Sequence, residues 1–173
     1  ANEGLIAPGH AFAWASPSVP RILLRSMWRN DQAVRFRPSA SPRQWRWLTQ
    51  FLRQCTAQRA RVNTLRKTRL CQYSQSRLHS VAEETDFHYD RNTGGLIYFY
   101  RSDQSFKAAA IKSEILSSAG VKIEILNRQQ VVERDPGLAD AQNAIAGALF
   151  VPTDESGDAR TFTDTLAERC RER

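Results

Sequence analysis

From residue 41 to residue 84, apolar positions recur at helical spacing. Leu48, Phe51, Leu52 and Cys55 follow i, i+3, i+4, i+7. Val62, Leu65, Leu70 and Tyr73 continue the stripe, with Arg59, Arg61, Arg66 and Lys67 mostly between them. The pattern predicts two successive helices broken near Thr56 rather than one continuous helix. Upstream, Val19 to Trp28 reads as a short helix, and Phe36 to Pro42 as a connector bearing Pro and Ser. Residues 1–18 hold small residues, two Gly and two Pro. Such a stretch is irregular, and its backbone can approach another group closely.

The texture changes at Phe87. Phe87-His88-Tyr89 is short and β-prone, residues 90–95 form a turn, and Leu96 to Tyr100 is aromatic and β-branched. Together they predict a hairpin with a long loop. A helix is expected over Asp103 to Ser118, with Ala108, Ile111, Ile115 and Ala119 on its apolar face and Gly120 as its cap. Val121 to Ile125 alternates strictly, as in a half-buried strand. Asn127 and Gln130 form a capping box for a short helix that ends before Pro136. Ile145 to Val151 reads as a strand and Pro152 to Asp158 as a polar loop. Thr161 with Asp164 is expected to cap a last helix. The class is α+β: a basic helical half, then a mixed or antiparallel sheet with helices.

Composition adds charge asymmetry. The chain has 173 residues and a net charge of +7. Residues 1–80 carry 14 Arg or Lys against Glu3 and Asp31, a net +12; residues 81–173 carry 11 against 16, a net −5. A basic region of this kind points to nucleic acid, an acidic partner or an anionic lipid surface. A solvated helix face, or one covered by further chain, is the plainer alternative. No apolar run approaches the roughly 20 residues of a membrane span, and no signal peptide opens the sequence. Ala1 stands in place of Met, and Arg173 lies in a helix-like run, so an interior segment of a longer protein is expected. Cys55, Cys71 and Cys170 stand far apart and fit reduced thiols rather than a disulfide scaffold or zinc site.

Motif by motif, self-contained chemistry is hard to find. Gly4 and Gly9 have the outer spacing of a phosphate loop, but His10 stands where Lys belongs. G-x-G-x-x-G and G-x-S-x-G are absent. His10, His79 and His88 share no metal-ligand spacing, so no metal is expected. Glu83-Glu84 and Asp154-Glu155 read as solvated loop charges.

Six segments in order carry a resemblance: A-N-E-G-L-I-A-P-G-H-A-F-A-W-A-S-P at 1–17, C-T-A-Q-R-A-R-V-N at 55–63 and G-G-L-I-Y-F-Y-R at 94–101. A-G-V-K-I-E-I-L at 119–126, V-V-E-R-D-P-G-L at 131–138 and G-A-L-F-V-P-T-D-E-S-G-D-A-R-T-F-T at 147–163 complete it. The sequence resembles the FAD-dependent amino-acid oxidoreductases (DAO-like), and above all the small subunits of the bacterial D-amino-acid dehydrogenase branch. The likeness implies a two-domain fold with a Rossmann-like FAD domain beside an antiparallel substrate domain. This chain would be the substrate-domain portion, lacking the N-terminal βαβ unit. It also implies four parts: a flavin-proximal segment at 1–18, a basic helical region at 19–85, an α+β substrate portion at 86–151, and a return segment with its helix at 152–173.

The activity implied is oxidative deamination of a D-amino acid to a 2-oxo acid and ammonia. FAD would take the hydride, and electrons would pass to a quinone or other carrier. Opine oxidases, hydrogen cyanide synthase subunits and glycine- or sarcosine-type oxidases are related alternatives; a basic nucleic-acid-binding module is an alternative of another class. The resemblance implies that Asn2, Glu3, Gly4, Leu5 and Ile6 run along the cofactor, with Glu3 replacing the usual small residue. His10 and Trp14 are expected near the active-site mouth, and the substrate's carboxylate anchor outside this chain. A cytoplasmic location is expected, with Trp28, Trp45 and Trp47 among the arginines of residues 19–69 favouring peripheral contact with the inner membrane's cytoplasmic face.

Overall fold

The computed structural model describes residues 4–27, 37–86 and 88–172. They divide into two units, Ala1–Ala11 with Thr68–Arg173, and Phe12–Lys67.

The second unit holds helices α1 (Val19–Ser26) and α2 (Pro42–Gln54) and the start of α3 (Ala57–Thr85). Pro42 occupies the first turn of α2, where its missing N–H costs nothing. The helix ends as the Cys55 amide turns back to the Leu52 carbonyl at 3.0 Å. Thr56 then starts α3, its hydroxyl accepting from the Arg59 amide at 3.3 Å. The break expected near Thr56 is therefore present, set by a local side-chain bond. Trp28 and Phe36 lie outside the described residues. Leu48 and Cys55 are buried, but Trp45 is 47% and Trp47 59% exposed. The Trp47 ring stacks on Phe51, with centroids 5.1 Å apart. A groove of about 220 Å³ is lined by Leu23, Leu24, Met27, Trp45, Leu48 and Leu52.

The first unit is built on an antiparallel sheet in the order β2-β4-β3, with β2 at Leu96–Tyr100, β3 at Glu124–Leu126 and β4 at Gly147–Val151. Every β4 residue is buried, because the strand is central in its sheet and packed against α4 (Asp103–Ser117) and α5 (Arg128–Arg134). Leu126, Val131, Ile145, Ala148 and Phe150 form the core, with Ile97 and Leu138 against it. Each large apolar side chain here contributes about 1.5–3 kcal/mol. The Asn127–Gln130 capping box is present in full, and α5 stops before Pro136. Gly120, at φ +85°, ends the turn after α4 in the left-handed region.

Several sequence expectations change. Leu96–Tyr100 pairs with β4, Tyr98 opposite Leu149, and not with His88–Tyr89, the described part of the expected partner strand. Phe87 itself lies outside the described residues, and the following segment instead bridges to the return strand through Asn92 and Ser156. The buried stripe of α4 contains Ser113 and Leu116, whereas Ile111 is 68% exposed. Ser113 tolerates burial because its hydroxyl donates to the Ala110 carbonyl at 2.7 Å. Strand β3 starts only at Glu124. Its phase buries Leu126 and exposes Ile125, against the alternation read over 121–125. Val121 is buried through the helix-ending turn, its amide bonding the Leu116 carbonyl at 3.2 Å.

Candidate functional site

After β4 the chain passes Pro152, Thr153 and Asp154 into β5 (Glu155–Ser156), then enters α6 (Ala159–Arg171). Strand β5 pairs antiparallel with β1 (Leu5–Ile6), placing Leu5 opposite Ser156 and Ile6 opposite Glu155. The Gly157 amide donates to the Gly4 carbonyl at 2.9 Å. Gly4 has φ +64°, and a Cβ there would lie 2.2 Å from the Gly157 carbonyl oxygen. A Cβ on Gly157 would in turn strike the Tyr89 ring at 2.5 Å. Gly4 is thus required by backbone crowding and its left-handed φ, and Gly157 by the packing of the Tyr89 ring.

Beside that layer lies a cavity of about 170 Å³, lined among others by Gly4, Leu5, Ile6, Tyr89, Gly157 and Phe162. The Tyr89 and Phe162 rings meet edge to face at 5.3 Å. Helix α6 is capped by Asp158, which accepts from the Arg160 and Thr161 amides at 2.8 and 2.9 Å. This corrects the expected Thr161–Asp164 cap: Asp164 pairs with Arg160 instead, at 3.5 Å. The helix simply begins three residues earlier, where the Asp158 side chain can reach the free amides.

The largest correction concerns Asp154 and Glu155, read from sequence as solvated. They are 0% and 2% exposed. Asp154 accepts from the Gly9 amide at 2.8 Å and the Tyr98 hydroxyl at 2.7 Å. Burial pushes its carboxyl above the ordinary aspartate range, and these donors with nearby His10 offset only part of that rise. Glu155 accepts from Arg91 Nε at 2.6 Å and Gln75 Nε2 at 3.1 Å, and faces His79 Nε2 at 2.5 Å. Burial would raise this carboxyl too, but the bonds from His79, Arg91 and Gln75 outweigh it and hold the group below the usual glutamate range. His79 Nε2 also lies 2.8 Å from Arg91 Nη2. Protonated, that nitrogen donates to Glu155; bare, it accepts from Arg91.

Of the residues nominated from sequence, Asn2 and Glu3 lie outside the described residues. Gly4, Leu5 and Ile6 come together at the cavity. His10 ends a 3-10 turn, Pro8–His10, with its ring 5.6 Å from that of Tyr98. Trp14 belongs to the other unit and is 82% exposed. Sequence reasoning missed Tyr89, Tyr98, Asp154, Glu155, His79 and Arg91. The available signal was the two acids in Pro152-Thr153-Asp154-Glu155-Ser156-Gly157, a return stretch directly following a fully apolar strand.

Residues 1–173 match the family described as DAO, FAD dependent oxidoreductase. Among curated relatives, D-amino acid dehydrogenase 2 of Mesorhizobium japonicum is 38% identical over 172 residues, 99% of this chain and 41% of the relative. D-amino acid dehydrogenase of Agrobacterium fabrum is 36% identical over 172 residues, again 99% and 41%. That of Granulibacter bethesdensis is 38% identical over 173 residues, 100% and 41%. The chain therefore spans about two fifths of the length of the relatives it matches. No solved structure matches it. On the match along its whole length, the chain belongs to the DAO family of FAD-dependent oxidoreductases.

Proposed function

We propose that the full-length protein catalyses FAD-dependent oxidative deamination of D-amino acids to 2-oxo acids and ammonia, and that Asn2, Glu3, Gly4, Leu5 and Ile6 run beside the flavin. The observation that carries this reading is the Leu5–Ile6 strand, set edge-on to a cavity walled by Tyr89 and Phe162 in a chain of a FAD-dependent family. Apolar and aromatic side chains with crowded backbone suit one face of a planar ring system. At about 170 Å³ the cavity is below the ~300–1,000 Å³ of complete small-molecule sites. It is one wall, and the rest of the FAD site, with its βαβ unit and the substrate's carboxylate anchor, would come from outside these 173 residues. The isolated piece is accordingly expected to be inactive.

What the cofactor supplies when bound is the acceptor for the hydride leaving the substrate Cα. The chain's own residues line the site: Leu5 and Ile6 present apolar side chains to the cavity. His10, at the end of the Pro8–His10 turn, stands towards the mouth. The names of the relatives favour D-amino acids over the opine, glycine or sarcosine substrates of related oxidases. Electrons would leave to a quinone or other carrier, with peripheral contact at the cytoplasmic face of the inner membrane through residues 12–67. Supporting this are 12 Arg or Lys against Asp31 in that unit, together with exposed Leu24, Met27 and Trp47. Exposed apolar side chains among cations suit lipid better than nucleic-acid phosphates.

The test is reduction of the purified full-length protein under anaerobic conditions. It should be yellow, and a D-amino acid should bleach its flavin band while the L-enantiomer does not. Colourless protein that takes up no FAD on reconstitution overturns the reading.

A further inference from the structure

Strand β5 touches the flavin-proximal segment at both ends. At one end the Gly157 amide takes the Gly4 carbonyl, 2.9 Å away. At the other, the Asp154 carboxylate takes the Gly9 amide, across 145 residues of sequence, at 2.8 Å. The close approach requires glycine at position 9. A Cβ there would sit 2.5 Å from Asp154 Oδ2 and 2.7 Å from a Val151 methyl. The second carboxylate oxygen accepts from the Tyr98 hydroxyl at 2.7 Å, and the Tyr98 ring lies tilted against that of His10, with centroids 5.6 Å apart. A fully buried carboxylate is costly in a fold and persists where its bonds hold something in place. Glu155, next in the strand, ties the same strand to α3 and the 89–92 stretch through His79, Gln75 and Arg91.

We propose that Asp154 is a positioning residue for the cofactor site: through Gly9 and Tyr98 it clamps the Pro8–His10 turn, and so fixes the course of the Gly4–Ile6 strand along the flavin. The inference rests on the reading of Gly4–Ile6 as flavin-facing. Asp154 touches neither cofactor nor substrate; it acts through the backbone it holds. The essential property is the acceptor geometry. An Asn side chain keeps Oδ1 for the Gly9 amide and can donate its Nδ2 hydrogen to the Tyr98 oxygen. An Ala leaves the Gly9 amide and the Tyr98 hydroxyl without their partner.

The experiment compares full-length wild type, Asp154→Ala, Asp154→Asn and Tyr98→Phe. The readouts are FAD affinity by titration of the apoprotein, visible circular dichroism of the bound flavin, and the unfolding midpoint without FAD. Asp154→Ala should bind FAD about tenfold or more weakly, a ratio that corresponds to about 1.4 kcal/mol. Its flavin dichroism should change as well. Asp154→Asn should restore both towards wild type, and Tyr98→Phe should fall between. If Asp154→Ala fails to fold, the graded response of the other two variants decides. Unchanged FAD affinity and dichroism in Asp154→Ala, with only a lower midpoint, overturns the proposal; so does Asp154→Asn behaving like Asp154→Ala, or, where Ala does not fold, Tyr98→Phe binding FAD with wild-type affinity and dichroism. Failure of the wild-type protein to bind FAD strikes the functional reading instead, so the two failures are distinguishable.

Discussion

The two units use charge in opposite ways. The unit made of Ala1–Ala11 and Thr68–Arg173 carries 13 basic and 17 acidic residues, and it pairs them: buried Glu155 with Arg91 and His79, and surface Glu124 with Arg134 and Lys122. The unit Phe12–Lys67 carries 12 basic residues and a single acid, Asp31, which can neutralise at most one of them. The first unit has a sheet-centred core, although Leu70, Tyr73, Ile111 and Ile125 stay exposed on it. The second leaves Ile22, Leu24, Met27, Trp45 and Trp47 exposed at 39–59%. The difference teaches where precision resides. Close backbone approaches and buried acids fix positions in the first unit, whereas the second carries excess positive charge, which favours anionic surroundings.

Gly4→Val in the full-length protein attacks the first unit where it is tightest. The new Cβ meets a carbonyl oxygen at 2.2 Å with φ at +64°, so the β1–β5 pairing must open. Overpacking and backbone strain each cost about 1–3 kcal/mol. We expect loss of bound FAD together with a lower unfolding midpoint, measured by flavin absorption and calorimetry. The nearest neighbour of a side chain at Gly4 is the Gly157 carbonyl oxygen, so the change strains the fold as well as the cofactor wall. Wild-type FAD content in the variant would show that this crowding does not shape the cofactor wall.

The second unit is probed with lipid. Full-length protein should co-sediment with vesicles in proportion to their anionic lipid content. Each basic residue at the surface adds about 1 kcal/mol. Raising salt shortens the screening length from about 10 Å at 0.1 M to about 3 Å at 1 M, so binding should fall steeply. Replacing Trp45 and Trp47 by Ser should weaken binding at every salt concentration, whereas replacing Arg43 and Arg46 by Gln should flatten its salt dependence. Equal binding to neutral and anionic vesicles, or to neither, removes lipid as the partner of this surface. No helix among the described residues is long and apolar enough to cross a membrane.

What could be read in the sequence was local. The break at Thr56, the Asn127–Gln130 box and the Gly120 cap are each decided by residues within a turn of one another. The hairpin at 87–100 failed because Leu96–Tyr100 finds its partner in Gly147–Val151, a pairing that no nearby turn announces. Asp154 and Glu155 failed for the same reason on a larger scale. Their local composition is that of a solvated loop, and the groups that pay their desolvation lie 56 to 145 residues away, at Tyr98, Arg91, His79 and Gly9. Burial of a charge is a statement about distant partners, which residue types near it do not carry.

The smallest expected effect separates the two neighbouring acids. The carboxyl of Glu155 titrates lower in the folded protein than in the unfolded chain, so between those values the unfolded state binds more protons. Its contribution is complete above the unfolded value of about 4.3 and is lost as pH falls through the lower, folded one. Asp154 runs the other way. Its folded carboxyl titrates higher, so its contribution declines as pH rises from about 3.9 towards the raised value. Glu155→Gln should therefore cost about 1.5–3 kcal/mol at neutral pH, the range for hydrogen bonds to a charged group, and converge on wild type in acid. Asp154→Asn should cost little at neutral pH, because the charge it removes is one that burial disfavours. Denaturant unfolding from pH 3 to pH 8 reads both. Moderate salt should leave the Glu155→Gln difference nearly unchanged, since the carboxylate is buried, in contrast to lipid binding by the other unit. A Glu155→Gln deficit that grows towards acid, or that vanishes with salt, would mean that this ion cluster does not hold the strand.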